Sequence, residues 1–266
     1  PLGDSDAPRH AVVLAPVLPR WDHGTFFRRV AEPLLDTGYR ITVYDTLSLL
    51  HDGDDLKTLV DRWARCLAPD GDDTYGPSPV AAPDLLVGNA LGGAVVQAML
   101  THEWTHSAAV LLLSGPTVAD DELNMKLERI AAAVTTRGLP SALRLLDEAV
   151  RGPGWHPGAP TAAHTGPAAD DDRPDAAEQE SAGRRLSAGL RLLHDADARE
   201  PVRDFPGSLL HVYGEESSLV QRQHLATGPG PRHHLAGIPG AGMRPHADRP
   251  DRSRTTIARF LGAEDS

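Results

Sequence analysis

The chain has 266 residues, 40% of them hydrophobic, one cysteine and a formal net charge of −11. That length suits one α/β domain carrying an insertion or two small domains, with enough apolar content for a core. The acidic balance argues against nucleic acid and membrane as partners, the single Cys66 excludes an intramolecular disulfide, and no apolar run reaches membrane-spanning length. Residues 1–10 are polar and Pro-rich, without the features of a signal peptide, so a soluble cytoplasmic protein is expected. Pro1-Leu2-Gly3 reads as a remnant of tag removal and is set aside.

Strands and helices alternate from the start. Residues 11–15, ahead of Pro16, form a short apolar run of the buried-strand type. Phe26, Phe27, Val30, Leu34 and Leu35 recur at helical spacing across 25–35, and Gly38 supplies the stop. Residues 39–44 alternate and carry β-branched side chains, which predicts a second strand. Leu56, Leu59, Val60, Trp63, Cys66 and Leu67 make one helical stripe, N-capped by Asp54 or Asp55, and this places Cys66 in the core. A strand at 85–87 and a helix at 94–100 flank Gly88-Asn89-Ala90-Leu91-Gly92-Gly93, and a further strand at 108–113 ends in Ser114-Gly115-Pro116. Apolar strands alternating with helices predict an α/β fold, a mostly parallel sheet covered on both faces.

The alternation then stops. Residues 117–200 hold no strand pattern; helices are predicted over 122–134, 141–150 and 182–193, and 152–174 reads as a loose, mobile loop rich in Pro, Gly, Ala and Asp. Strands resume at 208–214 and 233–238, before a terminal helix at 252–261. The expected organisation is a first core part at 1–116, a helical cap at 117–200 and a second core part at 201–266. An insertion of this kind covers the carboxyl ends of the strands, where open α/β sheets bind ligands.

The segment 88–93 is a Gly-x-Ser-x-Gly-Gly nucleophile elbow with Ala90 in the nucleophile position. Its glycines suit a strained turn with a helix packed tightly behind it. A methyl group cannot attack a carbonyl, so acyl-enzyme chemistry is impossible at this residue. Four further stretches fit around the elbow: 12–34 with Trp21-Asp22, Tyr44-Asp45, His211-Val212-Tyr213-Gly214-Glu215-Glu216, and 238–246 followed by the helix at 248–261. With these landmarks the chain resembles the α/β-hydrolase superfamily over nearly its whole length. The similarity is to the short form with a helical cap, as in esterases, haloperoxidase-like enzymes and C–C-bond hydrolases. The resemblance implies the fold but no single reaction. It also implies that the nucleophile, acid and histidine positions fall on Ala90, Ser217 and Met243, and that Ala15-Pro16 replaces the His-Gly pair of the oxyanion loop. Substitution at all of these points to natural loss of the triad rather than a single engineered change.

The candidate site comprises what remains. Asp45, at a strand end, and His246, beyond the lost histidine position, are the candidate catalytic residues. Asp45 reads alternatively as a turn cap and His246 as a structural loop histidine. Ala15, Pro16, Trp21, Ala90, Leu91 and Met243 are expected to contact substrate. The Leu91 amide, at a helix N-terminus, is a donor for a carbonyl or anion. Trp21 reads more readily as packing than as a platform, Asn89 as support behind the turn, and Asp22 with His23 as a possible proton-transfer pair. No metal site is expected, since His233-His234 and Asp170-Asp171-Asp172 lack ligands at metal-like spacing. No cofactor is expected, and Gly228-Pro229-Gly230 does not follow a strand in the dinucleotide pattern. Three functions stand in order: a cofactor-free cyclase, lyase or isomerase acting on a small, largely apolar molecule; a ligand-binding pseudo-hydrolase; and a hydrolase with relocated catalytic residues.

Overall fold

A computed structural model describes residues 2–69, 82–151, 175–194 and 196–264. Six strands form one sheet: β1 (Arg9–Leu14), β2 (Tyr39–Tyr44), β3 (Leu85–Asn89), β4 (Ala109–Leu113), β5 (Leu209–Gly214) and β6 (His233–Ile238), in the order β2-β1-β3-β4-β5-β6. Every neighbouring pair of these strands is parallel. The chain runs outward from β1 to β2 and then returns to lay β3 on the other side of β1. That reversal opens a crevice beyond the carboxyl ends of β1 and β3, the place where open α/β sheets receive ligands.

Period-two alternation divides the strands between two cores. Ala11, Val13, Leu85, Val87, Leu111, Leu113, Leu210 and Val212 face one side, under α1 (Arg28–Asp36) and α9 (Pro250–Glu264) with Val30, Leu34, Ile257 and Phe260. Val12, Leu14, Leu86, Val110, Leu112 and Leu209 face the other. There they meet α2 (Leu56–Leu67) and α3 (Leu91–Met99) through Trp63, Val95, Val96 and Met99. Both faces are apolar because both are covered, which explains the continuous hydrophobic runs in the sequence.

Between β4 and β5 the chain makes a helical excursion of α4 (Asp121–Arg137), α5 (Leu139–Val150) and α6 (Ala176–Arg191). These helices pack on one another, and Leu123, Leu127, Ile130, Leu186 and Leu190 join the second core. The ends of the excursion are pinned together. Ala198 donates to the Thr117 carbonyl at 2.7 Å, and Ala119 donates to that of Ala196 at 2.8 Å. These bonds flank an antiparallel bridge between Val118 and Asp197. Aspartates cap the helices as their chemistry favours: Asp55 accepts from Thr58 N–H, Asp120 from Leu123 N–H and Asp175 from Glu178 N–H. Of the two candidates before α2, Asp55 is therefore the cap, and Asp54 pairs with Arg62.

The structure departs from expectation at several points. The helix at 25–35 begins as a 3-10 turn, Thr25–Phe27, before α1. The elbow helix starts at Leu91, three residues early, because its glycines are helical rather than helix-breaking. Two short helices, α7 (Arg199–Asp204) and α8 (Pro245–Asp248), were not predicted. Leu2, set aside as a tag remnant, bridges the edge strand β2, donating to the Ile41 carbonyl at 2.7 Å and accepting from its amide at 2.9 Å. The loop read at 152–174 lies outside the described residues. No helix among the described residues is long and apolar enough to cross a membrane.

Candidate functional site

Strand β3 ends at Asn89, and α3 begins two residues later. The single residue between them, Ala90, takes φ 50° and ψ −111°. A non-glycine residue held there costs about 1–3 kcal/mol, so the surroundings must impose it. They do so through hydrogen bonds on both sides. Ala90 N–H donates to the Leu113 carbonyl on β4 at 3.0 Å, and the Ala90 carbonyl accepts the first helical bond, from Ala94, at 3.1 Å. Gly92 N–H donates to the Ala15 carbonyl at 3.2 Å, binding the elbow to the loop after β1. The approach leaves no space for a side chain: a Cβ on Gly92 would lie 2.1 Å from the Leu14 carbonyl oxygen. Ala15, Pro16, Ala90 and Leu91 thus gather at the crevice between β1 and β3. At the first position of α3, the Leu91 amide has no acceptor among the described residues, as befits a helix N-terminus open to an anion or a polarised carbonyl.

Ala15 is fixed from the other side as well. Its carbonyl accepts the buried Thr46 hydroxyl at 2.6 Å, and the Thr46 carbonyl accepts Trp63 Nε1–H at 2.9 Å. Asp22 uses both carboxylate oxygens on the backbone, accepting Gly24 N–H at 3.0 Å and Phe26 N–H at 2.8 Å. It builds the turn into α1, and among the described residues no hydrogen bond or ion pair joins it to His23. Trp21 is half-buried, its ring 6.4 Å from that of His23. Asn89 is buried behind the turn.

Asp45 directly follows β2 and caps the 3-10 turn Thr46–Leu49 by accepting Leu47 N–H at 3.2 Å. The same oxygen takes a guanidinium N–H of Arg185, which descends from α6. Arg185 also donates from Nε to the Leu18 carbonyl at 2.8 Å. One arginine of the excursion therefore clasps the ends of two loops. A turn further along, α6 comes close through Gly189, where a Cβ would lie 2.9 Å from Val17 and Leu47 side-chain atoms. The Asp45 carboxylate is a cap and ion-pair partner here, the alternative reading of that residue. Arg185→Ala is expected to destabilise the fold by about 1–3 kcal/mol, since it leaves a partly buried carboxylate unpaired. It should also speed hydrogen exchange selectively in α6; unchanged exchange there would remove the clasp.

His246 lies in α8, which packs against α1, α9 and β5. It is buried, its Nδ1 has no hydrogen-bond partner, and burial, reinforced by Arg244 and Arg29, pushes its pKa down to about 4. It is a neutral imidazole at pH 7. No hydrogen bond or ion pair joins it to Asp45, so the structure does not assemble an acid–base couple from these two residues. Ser217 follows the end of β5, where Gly214 and the Gly242 carbonyl stand so close that a Cβ would lie 1.8 Å from that oxygen. The loops carrying Ser217 and Met243 are therefore in contact. Ser217 is buried with its hydroxyl unpartnered, and Met243 is buried with its amide donating to Val150 of α5 at 3.0 Å.

Several polar residues around the site escaped the sequence reading. Gln97, fully buried in α3, donates from Nε2 to the carbonyls of Gly93, Gly115 and Pro116 at 3.0, 3.2 and 3.1 Å, and accepts the Thr117 hydroxyl at 2.5 Å. It ties the elbow helix to the start of the excursion. His224 Nδ1 accepts Gln221 N–H at 2.9 Å, and its Nε2 lies 3.0 Å from the Asp120 carboxylate. His211 sits on β5 in complete burial, and burial takes its pKa down to about 3; the Gly115 carbonyl faces the ring without completing a hydrogen bond of good geometry. The legible signal for Gln97 and His211 was a lone polar residue inside an otherwise apolar segment.

No protein-family model matches the chain, and no curated protein matches it in sequence. Solved structures do match its shape. An α/β hydrolase, MGS-M2, from a Medee basin deep-sea metagenome library superposes with TM-score 0.66 at 11% identity, over 97% of this chain and 91% of that one. A bromoperoxidase from Bacillus anthracis gives TM-score 0.62 at 15% identity, over 96% and 92%. An esterase, EaEST, from Exiguobacterium antarcticum gives 0.62 at 12%, over 96% and 92%. At such identities the likeness is one of fold, and it extends over nearly the whole molecule.

Proposed function

We propose that this chain, which has the α/β-hydrolase fold, has lost acyl-transfer chemistry and binds a small, largely apolar molecule beneath a cap formed by α4–α6. The observation that carries this reading is Ala90: the elbow keeps its strained backbone conformation while presenting a methyl group. Strain persists where the surrounding structure over-determines it, and here the shape of the site outlives its nucleophile. The substituted positions Ser217 and Met243 support the same reading. The two remaining candidates for acid–base work offer little, Asp45 being engaged by Arg185 and His246 being enclosed and neutral. Binding is therefore favoured over turnover. The second reading, a cofactor-free non-hydrolytic enzyme, is favoured by one feature, the unengaged Leu91 amide, which would polarise a substrate carbonyl.

The protein should bind neutral N-phenyl-1-naphthylamine saturably with one site per chain. Met243→Glu, which places a charge among the buried apolar side chains of the second core, should weaken it at least tenfold. Absence of saturable binding, or indifference to Met243→Glu in a folded variant, would overturn the binding site. Ala90→Ser should fold normally yet hydrolyse p-nitrophenyl butyrate no faster than the wild type, because of the two candidate bases Asp45 is engaged by Arg185 and His246 is enclosed in α8. Rapid ester hydrolysis by either protein would instead identify a hydrolase with relocated residues.

A further inference from the structure

Arg244 follows Met243 directly, where the loop after β6 meets the end of α5. Its surroundings are unusual in a chain of net charge −11. The side chain is only 21% exposed, and its Nε is buried without an acceptor among the described residues. Its Nη2 stands 3.7 Å from Asp147, beyond hydrogen-bond reach. Asp147 is in any case held by Arg151 through its other oxygen. Burial and the neighbouring Arg151 charge both press on the Arg244 guanidinium, lowering its pKa against the pull of Asp248 and Asp147. Arg29 and Arg249 add positive charge around His246 and Asp248. Asp248 meanwhile spends one oxygen on Gly242 N–H at 2.8 Å. Among the described residues, Asp147 and Asp248 are the carboxylates that act on Arg244, and each is already engaged elsewhere.

Burying a cation without a full partner is costly, and a carboxylate brought by a bound molecule would offset that cost. Arginine's planar fork matches a carboxylate in bidentate geometry. The position is also suitable. It adjoins Met243, lies at the carboxyl edge of the sheet, and sits against the excursion helix whose Val150 carbonyl receives the Met243 amide. We infer that Arg244 receives the carboxylate of the bound molecule, so that the ligand class is a small apolar acid with its body under α4–α6 and its head at the α5–β6 junction. This rests on the binding function proposed above and names its chemistry.

The test uses 4-phenylbutanoate and its uncharged counterpart 4-phenylbutanol as competitors of N-phenyl-1-naphthylamine on the full chain. The acid should displace the dye at a concentration at least tenfold below that of the alcohol. Arg244→Gln should abolish that preference without altering the affinity for the alcohol. Asp147→Asn removes a competing carboxylate and should strengthen acid binding several-fold, a change opposite to that expected from simple damage. It decides the matter if Arg244→Gln fails to fold. Equal binding of acid and alcohol by the wild type would overturn the inference while leaving the dye site intact. Failure of the dye to bind would instead sink the binding function itself. Inorganic phosphate displacing the dye as effectively as the acid would replace an apolar acid with a free anion and overturn the inference as well.

Discussion

Gly92→Ala is expected to leave no cooperatively folded protein. The new methyl carbon would stand 2.1 Å from the Leu14 carbonyl oxygen and 2.5 Å from the Leu14 carbonyl carbon. Both are backbone atoms at the end of β1, a strand paired on each side. Nothing there rotates away, as a flexible side chain would. Relief requires moving either the elbow, already held to Leu113 and Ala15, or the strand itself. Such a clash belongs with the rare changes that cost more than about 4–5 kcal/mol. Gly230→Ala is the control: a Cβ there meets nothing within 4 Å, so stability should change by no more than about 0.5 kcal/mol. Urea unfolding followed by far-UV circular dichroism separates the two cases. A Gly92→Ala protein with a wild-type midpoint would mean that the elbow and the β1 loop are not in contact.

Stability should also fall steeply on mild acidification. Burial holds His211 down to about 3 and His246 down to about 4, against 6.5 for an ordinary histidine. The unfolded chain therefore takes up protons that the folded chain refuses. The stabilisation is complete above about pH 6.5 and is lost progressively as pH falls towards the folded-state values. Each pH unit through this window withdraws up to about 1.4 kcal/mol per such histidine, and His211, the more strongly shifted of the two, contributes over the widest range. His10 and His233, lowered by partial burial, act in the same direction. Asp248 opposes them, because burial raises its carboxyl and the folded state then gains that proton early. Carboxylates held low, Asp120 among them, remain charged through the upper part of this window, so the histidines dominate there. His211→Leu should flatten the fall between pH 6.5 and 4.5 in urea titrations and should cost little at pH 7.5. A slope identical to that of the wild type would show that His211 titrates freely.

Local pattern carried most of the fold. The six strands were readable because a sheet covered on both faces demands uninterrupted apolar runs, and Leu85-Leu86-Val87 and Leu209-Leu210 have no other use. The elbow was readable because Gly88, Gly92 and Gly93 meet a steric need that no other residue meets. Helices α7 and α8 were not, since six and four residues are too few to display a helical period. The bridge of Leu2 to Ile41 was not readable, because the two residues lie far apart along the chain. The site suffered most from distance along the chain. Asp45 and Arg185 are 140 positions apart, and nothing around either residue announces the other. The unpartnered nitrogens of His211 and Arg244 are likewise products of packing.

The bridge between Val118 and Asp197 has a consequence for how this molecule can vary. Because the excursion leaves and re-enters the core through one pinned point, it behaves thermodynamically as a closed loop. The entropy of closing a loop grows only with the logarithm of its length. Changes in length beyond the pin would therefore cost the β4–β5 pairing little, so long as the core contacts of Leu123, Leu127, Ile130, Leu186 and Leu190 and the Arg185 clasp are kept. The sheet and elbow can therefore stay constant while the length of the excursion between β4 and β5 varies.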